Sequence, residues 1–206
     1  MKHPCTGVIL AGGLNTRFSG KEKALVRVGG KRIIDYIYTV FTSLFDEIIL
    51  VTNNPLGYIE WDLNIVTDLF PIRSSLTGIH AGLFHASNPY AFCAACDTPF
   101  LKKELIETLL DRIEPGVDAI IPEISVGLEP LCAVYSRNCL ERIEQHLSQN
   151  KLKILQVFKK GRMKKISENL LREKDPDLLS FFNINTPEDL ERAEAMLAQF
   201  NGLQEN

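Results

Sequence analysis

No stretch of this 206-residue chain approaches the length of a membrane-spanning helix, and the apolar run at 7–11 is too short for a signal-peptide core. The chain is therefore expected to stay in the cytoplasm. An excess of positive charge is missing as well. The 23 Lys and Arg against 26 Asp and Glu leave a formal net charge of -3, which gives no overall reason to bind nucleic acid or an anionic membrane. Any anionic ligand must be held by local cations, and the expected partner is a small molecule. Cysteine is sparse: Cys5, Cys93, Cys96, Cys132 and Cys139 are an odd, scattered set, which argues for reduced thiols rather than a disulfide framework. Cys93 and Cys96 form a lone CxxC inside an apolar, strand-like run, with no second pair and no histidine beside it. Small residues filling a buried strand account for it better than a zinc site does. The four histidines contain no HExxH, so no metal cage is visible. Repeats, low-complexity segments and Gly-, Ser- or Pro-rich linkers are also lacking. One domain over residues 1–200 is expected, with 201–206 as a frayed tail.

What is present is an ordinary globular composition, 45% hydrophobic and 24% charged, in a chain long enough to bury a core. Continuous apolar runs at 7–11, 47–52 and 90–95 read as short buried strands. Between them, Ile33, Ile34, Ile37, Val40, Phe41 and Leu44 recur at helical spacing, and Leu105, Ile106, Leu109 and Leu110 repeat the pattern over 102–113. Strands at 118–122 and around 131–135, a helix over 138–149 and a last helix from Pro187 complete the reading. Thr186 suits the cap of that last helix, Pro187 its first position, and Glu188 and Asp189 its positive end. Alternating strands and helices predict an α/β fold, a three-layer Rossmann-like domain with a mostly parallel sheet. Its ligands should gather outside the carboxyl ends of the strands.

The first strand runs into Leu10-Ala11-Gly12-Gly13, and Arg17, Lys21 and Lys23 follow within one short segment. Paired glycines allow close backbone approach and point N–H groups at an anion, and three cations stand nearby, so the stretch reads as a phosphate loop. It is neither a Walker A loop, because Gly13 and Gly20 are too far apart and Glu22 follows Lys21, nor a GxGxxG dinucleotide loop. Asp97 stands immediately after a buried strand and before Thr98-Pro99, which suits a hard oxygen ligand at the strand's carboxyl end; capping the helix near Lys102 is its alternative role. Asp68, after Ile65-Val66-Thr67, serves a turn as readily as a ligand, and Asn53-Asn54-Pro55 is equally a good turn. Asn183 and Asn185 bracket Ile184 in a strand-like stretch whose alternation would put both amides on one face. The basic run Lys159, Lys160, Arg162, Lys164 and Lys165 reads as a solvated face rather than a substrate site.

The pattern LAGGxxxRFxGxxKAL resembles the signature of the molybdenum cofactor guanylyltransferase family of nucleotidyltransferases. The ordered segments Val51-Thr52-Asn53-Asn54, Thr67-Asp68, Leu76-Thr77-Gly78, Cys96-Asp97-Thr98-Pro99, Glu129-Pro130-Leu131 and Asn183-Ile184-Asn185-Thr186-Pro187-Glu188 extend the likeness over nearly the whole chain. The resemblance implies transfer of GMP from GTP to the phosphate of molybdopterin, with magnesium as cofactor. GTP and molybdopterin would be the small-molecule substrates, and cofactor-accepting molybdoenzymes or their chaperones further partners. It implies that Leu10, Ala11, Gly12 and Gly13 wrap the nucleotide, that Lys23 meets its phosphates, and that Asn54 and Asp68 line the base and ribose side. Asp97 would hold magnesium, Arg17 and Lys23 would stabilise the departing pyrophosphate, and Asn183 and Asn185 are candidates for the pterin substrate. Arg73-Ser74-Ser75-Leu76-Thr77-Gly78 covers the place where relatives commonly show a Gly-Pro-Leu turn, so the loop that should frame the base is expected to differ in shape, which bears on base choice. A cytidylyltransferase acting on molybdopterin, a sugar-phosphate nucleotidyltransferase and a non-catalytic nucleotide- or cofactor-binding adaptor are the alternatives. Gly12-Gly13 favours GTP over CTP, the chain length leaves little room for a sugar-binding region, and Lys23 with Asp97 favours catalysis over an adaptor.

Overall fold

The structure is a computed structural model that describes residues 4–12, 22–159 and 161–204. Gly13, Arg17, Lys21 and Lys160 lie outside the described residues. The chain begins with β1 (Thr6–Leu10), the short antiparallel pair β2 (Arg27–Val28) and β3 (Lys31–Arg32), and α1 (Ile33–Leu44). It continues through β4 (Ile48–Val51), β5 (Asn64–Val66), α2 (Ser75–His85), β6 (Tyr90–Ala95), α3 (Lys103–Leu110), β7 (Ala119–Ile124), β8 (Gly127–Leu128) and β9 (Cys132–Ser136). The last part holds α4 (Leu140–Ser148), α5 (Ile154–Phe158), β10 (Met163–Ser167), α6 (Glu168–Arg172) and α7 (Pro187–Gln204). Helix α7 thus takes in the first four residues of the segment set apart as a tail.

The main sheet runs in the order β10-β7-β9-β6-β1-β4-β5, with β8 paired on β7. Strands β5, β4, β1 and β6 are mutually parallel, as are β7 and β10, while β9 runs antiparallel between β6 and β7. Period-2 alternation divides the side chains between two layers. Ile9, Phe92 and Ala94 face α1 and α3 on one side, whereas Val8, Cys93 and Ala91 face α2 and α4 on the other. Each face is covered, which is why β1 is buried at all five positions and reads as a continuous apolar run. Helix α2 sits unusually close to β1, because a Cβ at Gly82 would come within 2.5 Å of Val8. All five cysteines are free, and among the described residues no helix is long and apolar enough to cross a membrane.

Register fixes where the functional edge lies. Leu10 pairs with Val51 on one side and with Ala95 on the other, and Val51 pairs in turn with Val66. The residues following all four strands therefore emerge together: Ala11-Gly12, Thr52-Asn53-Asn54, Cys96-Asp97 and Thr67-Asp68. The ladder continues past the strand ends, with Ala11 N–H on the Val51 carbonyl, Thr52 N–H on that of Val66 and Cys96 N–H on that of Leu10. The chain winds outward from β1 through β4 to β5 and returns on the opposite side of β1 as β6, so β1 and β6 flank a topological switch point.

Candidate active site

At this edge a cleft of about 660 Å³ opens between the strand ends, the start of α2 and the segment at 22–24. Its floor is Leu10, Ala11, Gly12 and Ala95, all backbone or small apolar surface, over which a ligand can approach the main chain closely. Lys23 and Asp97 meet here across 74 residues of sequence, the ammonium Nζ lying 3.2 Å from Asp97 Oδ2. The same ammonium donates to Asn185 Oδ1 at 2.6 Å. Lys23 is thus held in a fork of two oxygens, while the second carboxylate oxygen, Asp97 Oδ1, is buried with no hydrogen-bond partner among the described residues. A buried carboxylate oxygen left without a donor on a residue that lines the cleft would suit a hard cation as an oxygen ligand. Beside it, burial first and the Asp97 charge second push the Cys96 thiol up to about 12, so Cys96 packs as a neutral side chain and offers no nucleophile at neutral pH.

Asn185 reaches the site because the segment carrying it is stitched to the strand end. Ile184 N–H donates to the Asp97 carbonyl at 2.9 Å, and the Ile184 side chain is buried in the core. The following helix is capped by Thr186, whose hydroxyl accepts from Asp189 N–H at 3.2 Å while Asp189 Oδ2 accepts from the N–H groups of Asn185 and Thr186 at 3.0 Å. The stretch at 183–186 forms no strand, so alternation does not apply to it. Asn183 turns its amide onto the Phe181 carbonyl at 3.0 Å, a local bond, and only Asn185 joins Lys23.

The opposite wall carries the other polar residues. Asn53 and Asp68 clasp each other, Nδ2 to Oδ2 at 2.8 Å, and Asn54 donates to Glu22 Oε1 at 2.8 Å. Ser74 caps α2 by accepting from Thr77 N–H at 3.1 Å, which brings Arg73, Ser74 and Ser75 to the cleft at the positive end of that helix. Leu10, Ala11, Gly12, Lys23, Asn54, Asp68 and Asp97 therefore share one cleft, Asn185 touches it through Lys23, and Asn183 stands aside. Glu22, Tyr58 and Arg73 also line it and were not singled out from the sequence as site residues. Their proximity depends on non-local packing, and only Arg73 gave a signal, through its place in the segment that departs from the relatives' Gly-Pro-Leu turn. Arg162, Lys164 and Lys165 of the basic run lie elsewhere, at the β10 edge, where Lys164 pairs with Glu114 at 2.7 Å and Lys165 with Glu123 at 2.6 Å.

A family model described as the MobA-like NTP transferase domain matches residues 7–164, from the first strand into β10. The chain belongs to that family. Within it, the molybdenum cofactor guanylyltransferase of Desulfosudis oleivorans is 51% identical over 192 residues, covering 93% of this chain and 95% of the relative. A probable molybdenum cofactor guanylyltransferase of Natranaerobius thermophilus is 39% identical over 199 residues, covering 94% and 97%. The crystal structure of molybdopterin-guanine dinucleotide biosynthesis protein A from Archaeoglobus fulgidus superimposes with a TM-score of 0.83 at 32% identity, covering 94% of this chain and 99% of that one. The family match ends before Asn185, yet this MobA-like chain places Asn185 against Lys23, so its C-terminal segment belongs to the site as much as the strand ends do.

Proposed function

We propose that this protein transfers GMP from GTP to the terminal phosphate of molybdopterin, forming a guanine dinucleotide cofactor and releasing pyrophosphate. The cluster of Lys23, Asp97 and Asn185 at the sheet's switch point carries this reading, and the guanylyltransferases to which the chain is similar supply the base and the acceptor. A phosphate monoester has a second pKa near about 6, so the acceptor is already an anionic nucleophile at neutral pH and no general base is required. Its oxygen forms the new bond to the α-phosphorus, and the bond from that phosphorus to the bridging oxygen breaks, pyrophosphate leaving with the electron pair.

The chain's task is to bring two anions together and hold them in line. Main-chain groups of Leu10, Ala11 and Gly12 give the nucleotide a close-fitting floor. Lys23, already ordered by Asn185, offers its ammonium to the β,γ end, and Arg17 is assigned the same task by its place in the loop signature. Asp97 would hold magnesium through Oδ1, the buried oxygen without a donor. Bound there, the ion supplies neutralisation of the charge that builds on the phosphates. Asn54 and Asp68 are assigned to the nucleoside, and Asn185, which touches the cleft through Lys23, to the side from which the pterin enters. A cytoplasmic site of action, and delivery of the product to molybdoenzymes or their chaperones, are part of the same proposal.

The test is pyrophosphate release by purified protein with molybdopterin and magnesium, supplying GTP, CTP, ATP and UTP separately. Turnover with GTP alone is expected. Preference for CTP overturns the base assignment, and no turnover with any nucleotide overturns the enzymatic reading. Substituting Asp97→Ala is expected to abolish magnesium-dependent release.

A further inference from the structure

Glu22 has no assigned role, yet it sits where two halves of the cleft meet. It immediately precedes Lys23, lines the cleft, and accepts from Asn54 Nδ2 at 2.8 Å across 32 residues of sequence. A carboxylate offers only acceptors, so the amide group of Asn54 must present its NH2 end to Glu22. That leaves Asn54 Oδ1, an acceptor, for whatever occupies the cleft that Asn54 lines. Without Glu22 the exposed amide would rotate freely and offer donor and acceptor alike. The backbone of Asn54 is already fixed, its N–H donating to Thr52 Oγ1 at 3.1 Å, so the amide rotation is the freedom left for Glu22 to remove. The second oxygen, Glu22 Oε2, is buried with no hydrogen-bond partner among the described residues, and the Tyr58 hydroxyl is in the same condition. Burial first, and the neighbouring Glu22 carboxylate after it, raise the Tyr58 pKa, so a neutral phenol stands beside the carboxylate and helps to hold it in place.

We infer that Glu22 is a positioning residue for nucleotide recognition: it locks the Asn54 amide so that its carbonyl oxygen meets a donor on the nucleoside. The inference rests on the nucleotide-binding reading of the cleft and deepens it. Glu22 does not touch the phosphates in this scheme, so its effect must be confined to the nucleoside end.

Binding of GTP and of inorganic tripolyphosphate to the intact protein, each with magnesium, distinguishes the possibilities by titration calorimetry. Glu22→Ala is expected to weaken GTP about tenfold, the range for loss of one charge-assisted hydrogen bond, and to leave tripolyphosphate affinity unchanged. Asn54→Ala should weaken GTP to a similar extent, and the double variant should be no weaker than the weaker single one, because both remove one coupled unit. Glu22→Gln keeps a carbonyl acceptor for the Asn54 amide and should recover most of the affinity. Equal losses for GTP and tripolyphosphate, additive losses in the double variant, or wild-type GTP affinity in Glu22→Ala would each overturn the inference. Failure of the wild-type protein to bind any nucleoside triphosphate would instead overturn the reading on which it rests. The thermal midpoints of the variants, measured alongside, show that the folded protein is being compared.

Discussion

An ammonium lodged 2.6 Å from an amide oxygen and 3.2 Å from a carboxylate meets an incoming triphosphate without first being ordered, which is what electrostatic catalysis requires. Lys23→Ala is therefore expected to lower kcat/KM for GTP by about 10²- to 10³-fold, the usual cost of losing one preorganised group at a developing charge. Lys23→Arg should not restore it, since a planar guanidinium cannot take the place of a compact ammonium in a fork of two oxygens. Asn185→Ala removes only one arm of the fork and should cost about tenfold, mainly in kcat, as measured by pyrophosphate release. Lys23 and Asp97 were legible in the sequence because each follows a recognisable strand-and-loop pattern. The pairings were not. Nothing local to Glu22 or Asn54 announces a contact across 32 positions, and the same holds for Lys23 and Asn185 across 162.

The segment that carries Asn185 is itself held by Asp175, a wholly buried carboxylate ahead of it in the chain. Its Oδ2 accepts from Ser180 N–H at 2.8 Å, the Lys102 ammonium lies 2.8 Å from Oδ1, and Ser180 Oγ accepts from Lys102 N–H at 3.0 Å, tying the start of α3 to the approach to Asn183. Burial alone would raise the Asp175 pKa, but Lys102 and the Ser180 N–H outweigh it and hold the carboxyl below its usual value. A folded pKa below the unfolded one means that the contribution is present above the unfolded value and is lost as pH falls through the folded one. Asp175→Asn is expected to lower urea stability at pH 7 by about 2 kcal/mol with an unchanged m-value, and to flatten the loss of stability on acidification. Among the elements, the strands at 7–11, 47–52 and 90–95 and helix α1 were legible because a buried strand or an amphipathic stripe shows in the residue pattern. Helix α2 escaped because residues 76–83 are buried all round and include two glycines, leaving no polar face to set a period. Strand β10 escaped because it is an edge strand whose lysines mask its alternation, an arrangement that also protects the edge from pairing with another chain.

The whole molecule converges on one edge: four parallel strands in register release their loops together, and the C-terminal segment returns from the far side of the fold to close the cluster at Lys23. Such a site exists only in the folded chain, so a nucleotide that occupies it must stabilise the whole fold by mass action. With magnesium and GTP at one hundred times its dissociation constant the gain is about 2.7 kcal/mol. For a chain of this size that raises the thermal midpoint by about 5–10 °C. The ion pair that organises the site is part-buried, its side chains retaining 21% and 16% exposure, but both residues line an open cleft, so water that fills the space left by Lys23 can solvate the Asp97 carboxylate and the net contribution of the pair to the empty protein is small. Lys23→Ala should therefore melt within about 1 °C of the wild-type protein without ligand, as a partly solvated pair contributes well under 1 kcal/mol. In the presence of GTP and magnesium, at the concentration that shifts the wild type, its midpoint should move by less than half as much. Thermal melts of both proteins with and without ligand check this. A Lys23→Ala midpoint already several degrees low without ligand would make Lys23 a strut of the fold rather than a group reserved for the phosphates.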